Sequence, residues 1–528
     1  LKTCQNCKTD FKIESNDVGF YEKINVPPPT FCPDCRRQRR NAWRNTFSLY
    51  SRKCELCGKS VISLYAPDSE IIIYCNRCWW SDKWNPKDGT DYDFSRPFFT
   101  QFRELVGRVP HMSVVNDDGI ASLNCEYTHD TWFAKNCYMM FSGWYIENVM
   151  YSFFILAGRD MVDCMNIRSK NELLYECIIA RNCYQSKYSQ YCLAAIDSAF
   201  LYDCRDCSNC LMCTGLRGKK YHYRNQEYLK EEYEKILKSY QLDTFFGVEK
   251  AQKEYNKFIL EYPRMYAHVF QNINCTGDVI SLSKNVKDCF VARASENCRY
   301  CDFIVDDKEC YDIIMSGELS ESYESVVIDQ SQLNLFGLFS VKSEDVRYTQ
   351  HCHNCKHVFG CVGLRDSNYC IFNKQYSKEE YEQLVPKIIE QMNQMPYIDK
   401  MGNKYAYGEF YPIELSPFGY NETLAMEDVA LSKEQALNNG FKWQDNVQRT
   451  MGQETLTPDN IPDSIDDVTD FILKEVLSCI DCKRNYKVVL NELLFYRKMK
   501  IPIPRRCFYC RHARRLKYRN PFKLWHRV

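Results

Sequence analysis

Three pairs of C-x₂-C knuckles, a segment repeated at both ends and a second duplication through the middle predict a mixed, β-rich fold. In that fold Cys₄ modules of zinc-ribbon or treble-clef type stand at both ends. They flank a duplicated, Cys-rich, β-solenoid-like middle with capping helices. At 528 residues the chain is too long for one simple core. The expected divisions are 1–52, 53–95, 96–262, 263–395, 396–475 and 476–528. Charge is balanced, with 69 Lys and Arg against 69 Asp and Glu, which excludes a generally basic or a disordered polymer. The 31 cysteines are odd in number and paired in spacing, which argues for metal in a reducing cytoplasm and against a disulfide framework. The longest apolar run, Tyr151 to Gly158, is far below the roughly 18 residues of a membrane helix, so no membrane partner is expected.

Residues 3–50 align without a gap onto 478–525, at a constant offset of 475. Cys4, Cys7, Cys32 and Cys35 fall on Cys479, Cys482, Cys507 and Cys510. Phe20-Tyr21 falls on Phe495-Tyr496, and Pro27 and Pro29 on Pro502 and Pro504. Beyond the last Cys, Arg36, Arg39, Arg40, Arg44 and Asn45 fall on Arg511, Arg514, Arg515, Arg519 and Asn520. Two knuckles at this separation can deliver four thiolates tetrahedrally to a zinc ion and leave no open position for substrate. Such a site can fold a module that has little core of its own.

The pattern C-x₂-C, Phe-Tyr, Pro and C-x₂-C-Arg resembles the small bacterial "probable zinc-ribbon" domain family over about 45 residues at each end. The resemblance implies zinc on the eight terminal cysteines and no particular activity. The whole chain also resembles Cys-rich, multi-zinc bacterial proteins of this layout.

Cys54, Cys57, Cys75 and Cys78 form a third quartet, bringing the expected zinc count to three ions. Between its knuckles Val61 to Tyr65 and Ile71 to Tyr74 read as strands, with a turn at Ala66-Pro67-Asp68-Ser69. A hairpin joining two knuckles is the expectation for this zinc ribbon.

The middle is duplicated at an offset near 148. Cys213-Thr-Gly-Leu-Arg217 matches Cys361-Val-Gly-Leu-Arg365, Cys204 and Cys207 match Cys352 and Cys355, and Leu174-Tyr175-Glu176 matches Ser322-Tyr323-Glu324. Within each copy a Cys-aromatic motif recurs around Cys137, Cys164, Cys177, Cys183 and Cys192, then Cys289, Cys298 and Cys310. Short strands at near-regular spacing predict a β-solenoid with Cys and aromatic side chains stacked inside successive coils. Cys204, Cys207, Cys210 and Cys213 lie every third residue, a spacing like that of ferredoxin ligands. The counterpart of Cys210 is Val358, however, so buried free thiols are the preferred reading; additional zinc and an iron–sulfur cluster are the alternatives, with His351, His353 and His357 able to compensate for the missing ligand.

Each copy is expected to end in a helix. One covers Tyr228 to Tyr262, and the other starts at the capping box Ser377-Lys-Glu-Glu380. Farther on, Ser432-Lys-Glu-Gln435 starts a short helix that Gly440 ends, and Ser464 to Leu477 reads as a helix leading into Cys479.

Arg36, Arg37, Arg39, Arg40 and Arg44 follow the first quartet, and Arg511, Arg514, Arg515 and Arg519 follow the last. Both runs are expected to begin as helices, with Trp43, Tyr50, Tyr518 and Trp525 nearby. Cations interleaved with aromatics can neutralise phosphates and stack on unpaired bases, so a non-enzymatic nucleic-acid-binding protein is expected, with RNA favoured over DNA. The alternatives are arginines packed against acidic residues of the solenoid, or a structural scaffold that self-associates through the terminal zinc modules. No phosphate loop, dinucleotide fingerprint, nucleophile elbow or H-E-x-x-H occurs. A carbohydrate-active site on a solenoid face, with Asp302, Asp306 and Asp307 as candidates, is the less favoured enzymatic reading.

Overall fold

The computed structural model describes residues 1–45, 47–116, 121–159, 175, 179 and 182–525. The chain forms two compact units, each discontinuous in sequence. The first comprises Leu1–Val115, Ala267–Val447 and Pro521–Val528; the second comprises Asn116–Tyr266 and Gln448–Asn520. The first unit therefore joins the two N-terminal Cys quartets to the second repeat copy. The second joins the first repeat copy to the last quartet.

The first unit is built on an eleven-stranded sheet running in sequence order from Val269–Phe270 to Lys374–Gln375. Its strand pairs are parallel until the last, which is antiparallel. After a first step of 11, with Val269 opposite Ile280, register advances by 12 residues per parallel strand: Phe290 lies opposite Asp302, Lys308 opposite Ser320 and Lys356 opposite Asn368. The second unit repeats this register, with His129 opposite Phe141, Phe141 opposite Phe153 and Ser208 opposite Lys220.

A shorter period lies inside the longer one. Every third residue from Leu282 to Phe372, and from Asn124 to Phe154, has a left-handed backbone, with Gly at 360 and 363. Side chains other than Asn and Asp rarely accept that conformation, so its regular recurrence marks a built corner. The residue after each corner turns inward. Val286, Cys289, Ala292, Cys298, Cys301, Ile304 and Cys310 make one buried row, and Cys192, Ala195, Leu201, Cys204, Cys207, Cys210 and Cys213 make its counterpart.

The middle cysteines are thus core residues. Cys204, Cys207, Cys210 and Cys213 are wholly buried or nearly so. Each thiol donates to the carbonyl two residues before it, at 3.6, 3.2, 3.4 and 3.3 Å. Val358 takes the Cys210 position in the other copy and is equally buried. A small hydrophobe with a weak donor suits this row, whether thiol or methyl. Serine serves too: Ser198 Oγ donates to Ile196 O at 2.7 Å and accepts from Cys210 N at 3.1 Å.

The aromatic residues are placed differently from expectation. Phe133, Tyr145, Tyr188, Phe200, Phe336 and Tyr348 do not share the inward row of the thiols; they stand at corners and stack on one another at 12-residue intervals, while Phe290 and Tyr311, which directly follow Cys289 and Cys310, stand between corners and stack on Phe522 and Phe20. Phe336 and Tyr348 stack at 4.4 Å, Tyr188 and Phe200 at 4.7 Å, and Phe133 and Tyr145 at 4.9 Å. A ring is too bulky for the narrow thiol row and finds room only outside it. In the first unit the helix Phe98–Arg108 covers such a column, with Phe98 and Phe99 at 5.2 and 5.5 Å from Tyr348.

The helix Lys378–Gln394 begins at Ser377, whose hydroxyl accepts from Glu380 N while Glu380 accepts from Ser377 N. Lys433–Asn438 is capped by Ser432 in the same way, with Gly440 left-handed beyond it. The span Tyr228 to Tyr262 is two helices, Lys230–Ser239 and Phe245–Phe258, because Gln241 turns left-handed and Thr244 caps the second. Ser464 to Leu477 is not a helix. It forms the 3-10 turns Ile465–Asp467 and Asp470–Leu473 and the strand Leu477–Ser478. Its Asp, Thr and Val residues favour caps and turns over helix interior. Cys164, Cys177, Leu174 and Glu176 lie outside the described residues.

Candidate functional site

Each Cys quartet is assembled from the same two local structures. The first knuckle lies beyond a strand of a two-stranded antiparallel pair: Lys2–Thr3 with Asp10–Phe11, Tyr50–Lys53 with Ser60–Ser63, and Leu477–Ser478 with Asn485–Tyr486. The residue after its second Cys (Lys8, Gly58 or Lys483) is left-handed and donates its N–H back to the first Cys carbonyl at 3.0, 2.8 and 3.1 Å. The second knuckle opens a helix. Cys32, Cys75 and Cys507 are the N-caps of Pro33–Asn41, Asn76–Trp79 and Phe508–Leu516. A helix N-terminus favours anionic sulfur.

This corrects the hairpin expected inside the second quartet. Val61 pairs back to Arg52, and Ile73–Tyr74 pairs in parallel with His111–Met112. All three quartets therefore share one construction.

In each quartet the four Sγ atoms lie within 4.8 Å of one another. Cys7 to Cys32 and Cys482 to Cys507 are both 3.6 Å, and Cys57 to Cys75 is 4.0 Å. Four sulfurs about 2.3 Å from a tetrahedral ion sit about 3.8 Å apart, so the sulfur cages match a Cys₄ metal centre. One thiol in each is already acidified. Burial works to raise Cys7 and Cys54, but hydrogen bonds from neighbouring residues hold them at about 6 and about 7. The Cys507 thiol, ahead of an opposing burial effect, brings Cys479 down to about 4. Cys7, Cys57 and Cys482 are exposed, while Cys4, Cys54 and Cys479 are buried. Among the described residues, the three quartets are the groups of Cys, His, Asp or Glu close enough to hold a metal ion. His351, His353 and His357 are not part of such a group. His351 and His357 stack on Phe339 and Tyr369 at 5.3 and 5.1 Å, and His353 meets Trp80 edge-on at 5.1 Å.

The arginine runs do form helices, and most of their charge is consumed inside the protein. Arg36, Arg39 and Arg40 share a face of Pro33–Asn41, as residues three and four apart must. That face meets Asp312 and Glu324, corner residues 12 apart on neighbouring parallel strands. Arg36 Nη2 is 2.8 Å from Asp312, Arg40 Nη1 is 3.0 Å from Asp312, and Arg39 Nη2 is 3.0 Å from Glu324. Glu409 adds a third carboxylate 3.6 Å from Arg39. Burial raises Glu324, and Arg39 and Arg40 pull against that rise. Arg37 lies 2.9 Å from Asp302, whose carboxyl is raised to about 6 by burial despite the guanidinium. Arg44 is fully buried with its guanidinium 5.0 Å from the Phe339 ring.

The last module follows suit within the second unit. Arg511 Nη1 donates to Arg506 O at 2.8 Å, as Arg36 Nη1 donates to Phe31 O at 2.8 Å. Arg511 also sits over the Tyr151 ring at 4.8 Å and 3.8 Å from Glu492. Arg515 is buried; Arg514, 3.4 Å from Glu249, and Arg519 are half-buried. Phosphate contact by Arg36, Arg39, Arg40, Arg44, Arg511 and Arg515 does not fit this arrangement, because a guanidinium sealed from water cannot reach an external anion.

The carboxylates that receive the arginines were not singled out by sequence reasoning, except Asp302. Their signal is the 12-residue interval between Asp312 and Glu324. Asp302, Asp306 and Asp307 do not converge as an acid/base set. Asp302 is committed to Arg37, Asp306 is exposed, and Asp307 is buried, accepting from Leu319 N at 2.9 Å and from the Ser316 hydroxyl. No described helix is long and apolar enough to cross a membrane.

No protein-family model matches the chain, and no curated protein matches it. Among solved structures, the UDP-N-acetylglucosamine acyltransferase from Campylobacter jejuni aligns with 52% of this chain and 88% of its own, at 7% identity and a TM-score of 0.08. A likeness that slight carries no argument about fold or activity, so what the chain does rests on its own residues.

Proposed function

We propose that the chain is a zinc-clamped, non-enzymatic β-solenoid scaffold whose treble-clef modules clasp the solenoid instead of reaching for an outside ligand. The observation that carries this reading is the commitment of Arg36, Arg39 and Arg40 to Asp312, Glu324 and Glu409. The 12-residue register with a corner at every third residue supports a coil of four short sides. Four thiolates at tetrahedral spacing favour zinc over harder cations, with all positions filled by protein. Each ion can contribute about 10–16 kcal/mol of apparent binding energy, which holds the basic helix in place before it meets the carboxylates. The terminal modules keep the resemblance to probable zinc-ribbon domains as support for the metal.

Nucleic-acid binding, with RNA favoured, is the competing reading. It retains Arg37, Arg514 and Arg519 as half-buried contributors. Purification from cells without nuclease, followed by absorbance, elemental analysis and size exclusion, separates the two. The scaffold reading expects three zinc ions per chain, a protein-like absorbance ratio, and an elution volume that changes when a chelator strips the metal. Co-purified RNA whose affinity falls by roughly 10³–10⁵ between 50 and 200 mM salt would replace the scaffold with the competing reading. Iron in place of zinc would remove the metal assignment.

A further inference from the structure

Beside the second Cys quartet, in the first unit, an open depression of about 660 Å³ lies between the segment that follows Trp79 and the coil bearing Arg365 and Asp366. Its volume falls within the range of small-molecule sites. The segment Trp80-Ser-Asp-Lys-Trp84-Asn85 supplies one wall.

The wall is fixed before any ligand arrives. Trp84 Nε1 donates to Trp79 O at 2.8 Å, and Trp80 packs edge-on against Trp79 at 4.9 Å and against His353 at 5.1 Å. Arg365 sits over the Trp79 and Trp84 rings at 5.4 and 5.2 Å, and its Nη2 donates to Ser81 O at 3.2 Å. By contrast Asp82 and Lys83 are exposed and make no side-chain hydrogen bond among the described residues.

The duplication provides an internal control. Arg217, the counterpart of Arg365, is paired to Asp203 at 2.7 Å, and Gly218 stands where Asp366 does. The first unit has drawn its arginine away from such a pairing and into an indole-lined depression.

The charges decide the ligand class. Arg365 and Lys83 are balanced by Asp82 and Asp366, so neither an anion nor a cation has a net attraction to the floor. A neutral polyhydroxylated ring suits it: hydroxyls donate to carboxylates and accept from guanidinium, ammonium or amide groups, while the C–H face lies on indole. We infer that this depression is a binding site for a neutral carbohydrate, with Asp82 and Arg365 orienting hydroxyls and Trp80 and Trp84 supplying the apolar wall. No bond is made or broken there. The inference stands apart from the scaffold reading, since the depression exists whether or not the arginine clasp is the main purpose of the fold.

The test uses the full zinc-loaded chain on a glycan array of neutral hexose and N-acetylhexosamine oligosaccharides, with sulfated oligosaccharides alongside. The strongest neutral glycan is then titrated against wild type, Asp82→Asn and Trp80→Ala. Retention of a neutral glycan, weakened tenfold or more in Asp82→Asn with metal content and melting temperature unchanged, is the expected result. Trp80→Ala should weaken it at least as much, and Asp82→Asn decides the matter alone if the tryptophan variant fails to fold. No neutral glycan retained, sulfated glycans retained in preference, or equal retention by Asp82→Asn would each overturn the assignment.

Discussion

Arg36 and Asp312 face each other out of water, guanidinium Nη2 2.8 Å from carboxylate Oδ2, across 276 residues of sequence. Neither side chain exposes more than 1% of its surface. Asp312 also receives Arg40, so one carboxylate answers two cations. Removing it leaves both guanidinia buried with only Glu324, 3.5 and 3.6 Å away, to balance them, and Asp312→Ala should cost about 3–5 kcal/mol, the scale for breaking a buried ion pair. Exposed pairs such as Lys284 with Glu296 are worth far less. Urea denaturation of Asp312→Ala and Glu296→Ala side by side tests this contrast, and equal losses would contradict it.

Metal stoichiometry should track the quartets one by one. Cys7→Ser and Cys482→Ser each remove an exposed ligand from a separate Sγ cage. Each variant is expected to bind one ion fewer than wild type by elemental analysis, and the double variant two fewer. An unchanged metal count in either single variant would show that the cage does not hold the ion.

The inward cysteines should be replaceable. Cys210→Val copies what Val358 does in the other repeat copy, and Cys210→Ser copies the use of Ser198 in the same row. Hydrophobic swaps of similar volume usually cost less than about 1.5 kcal/mol, and a serine hydroxyl in this row can donate to a backbone carbonyl as Ser198 does. Both variants should retain the full metal content and nearly the full melting temperature. A loss of metal or of a visible chromophore on Cys210→Val would restore the cluster reading.

Acid should weaken the first unit through its buried imidazoles. Burial lowers His111 and His353 to about 4, against an ordinary value of 6.5. Both stay neutral in the folded chain while the unfolded chain takes up protons below 6.5. Stability is therefore intact above pH 6.5 and falls as pH drops toward 4, by up to about 3 kcal/mol for each histidine. Asp302, raised to about 6, opposes part of that fall, because its protonated form is favoured by folding. Melting temperatures of wild type and His111→Gln, both in saturating zinc, should converge on acidification. Curves that stay parallel from pH 7 to 4.5 would show that His111 does not contribute.

Much of this architecture is legible in the chain itself. The quartets are written as spacing, and Ser377 and Ser432 are written as caps. The repeat was visible through its cysteines, but its period of 12 was blurred because Ala292, Ile304 and Ile313 share the row with Cys289, Cys298 and Cys310. Once thiol, methyl and hydroxyl serve one position equally, a search for cysteine alone sees gaps. The corner column that stacks Phe336 on Tyr348 was not legible, because ring stacking at corners leaves the same sequence trace as stacking indoors. The destination of the arginines was hidden for a simpler reason. A basic helix looks identical on paper whether its acceptors are phosphates or, as for Arg39, a glutamate 285 residues away.

That separation imposes an order on synthesis. At about 5–20 residues per second, the ribosome needs roughly 14–55 s to travel the 276 residues from Arg36 to Asp312. For most of that interval the N-terminal helix is outside the ribosome and its carboxylates have not yet been translated. The four ligands Cys4, Cys7, Cys32 and Cys35 are all present within the first few dozen residues, so this cage can take an ion before the acidic partner exists, and the nascent arginines pass through a stage in which any polyanion in the vicinity can reach them.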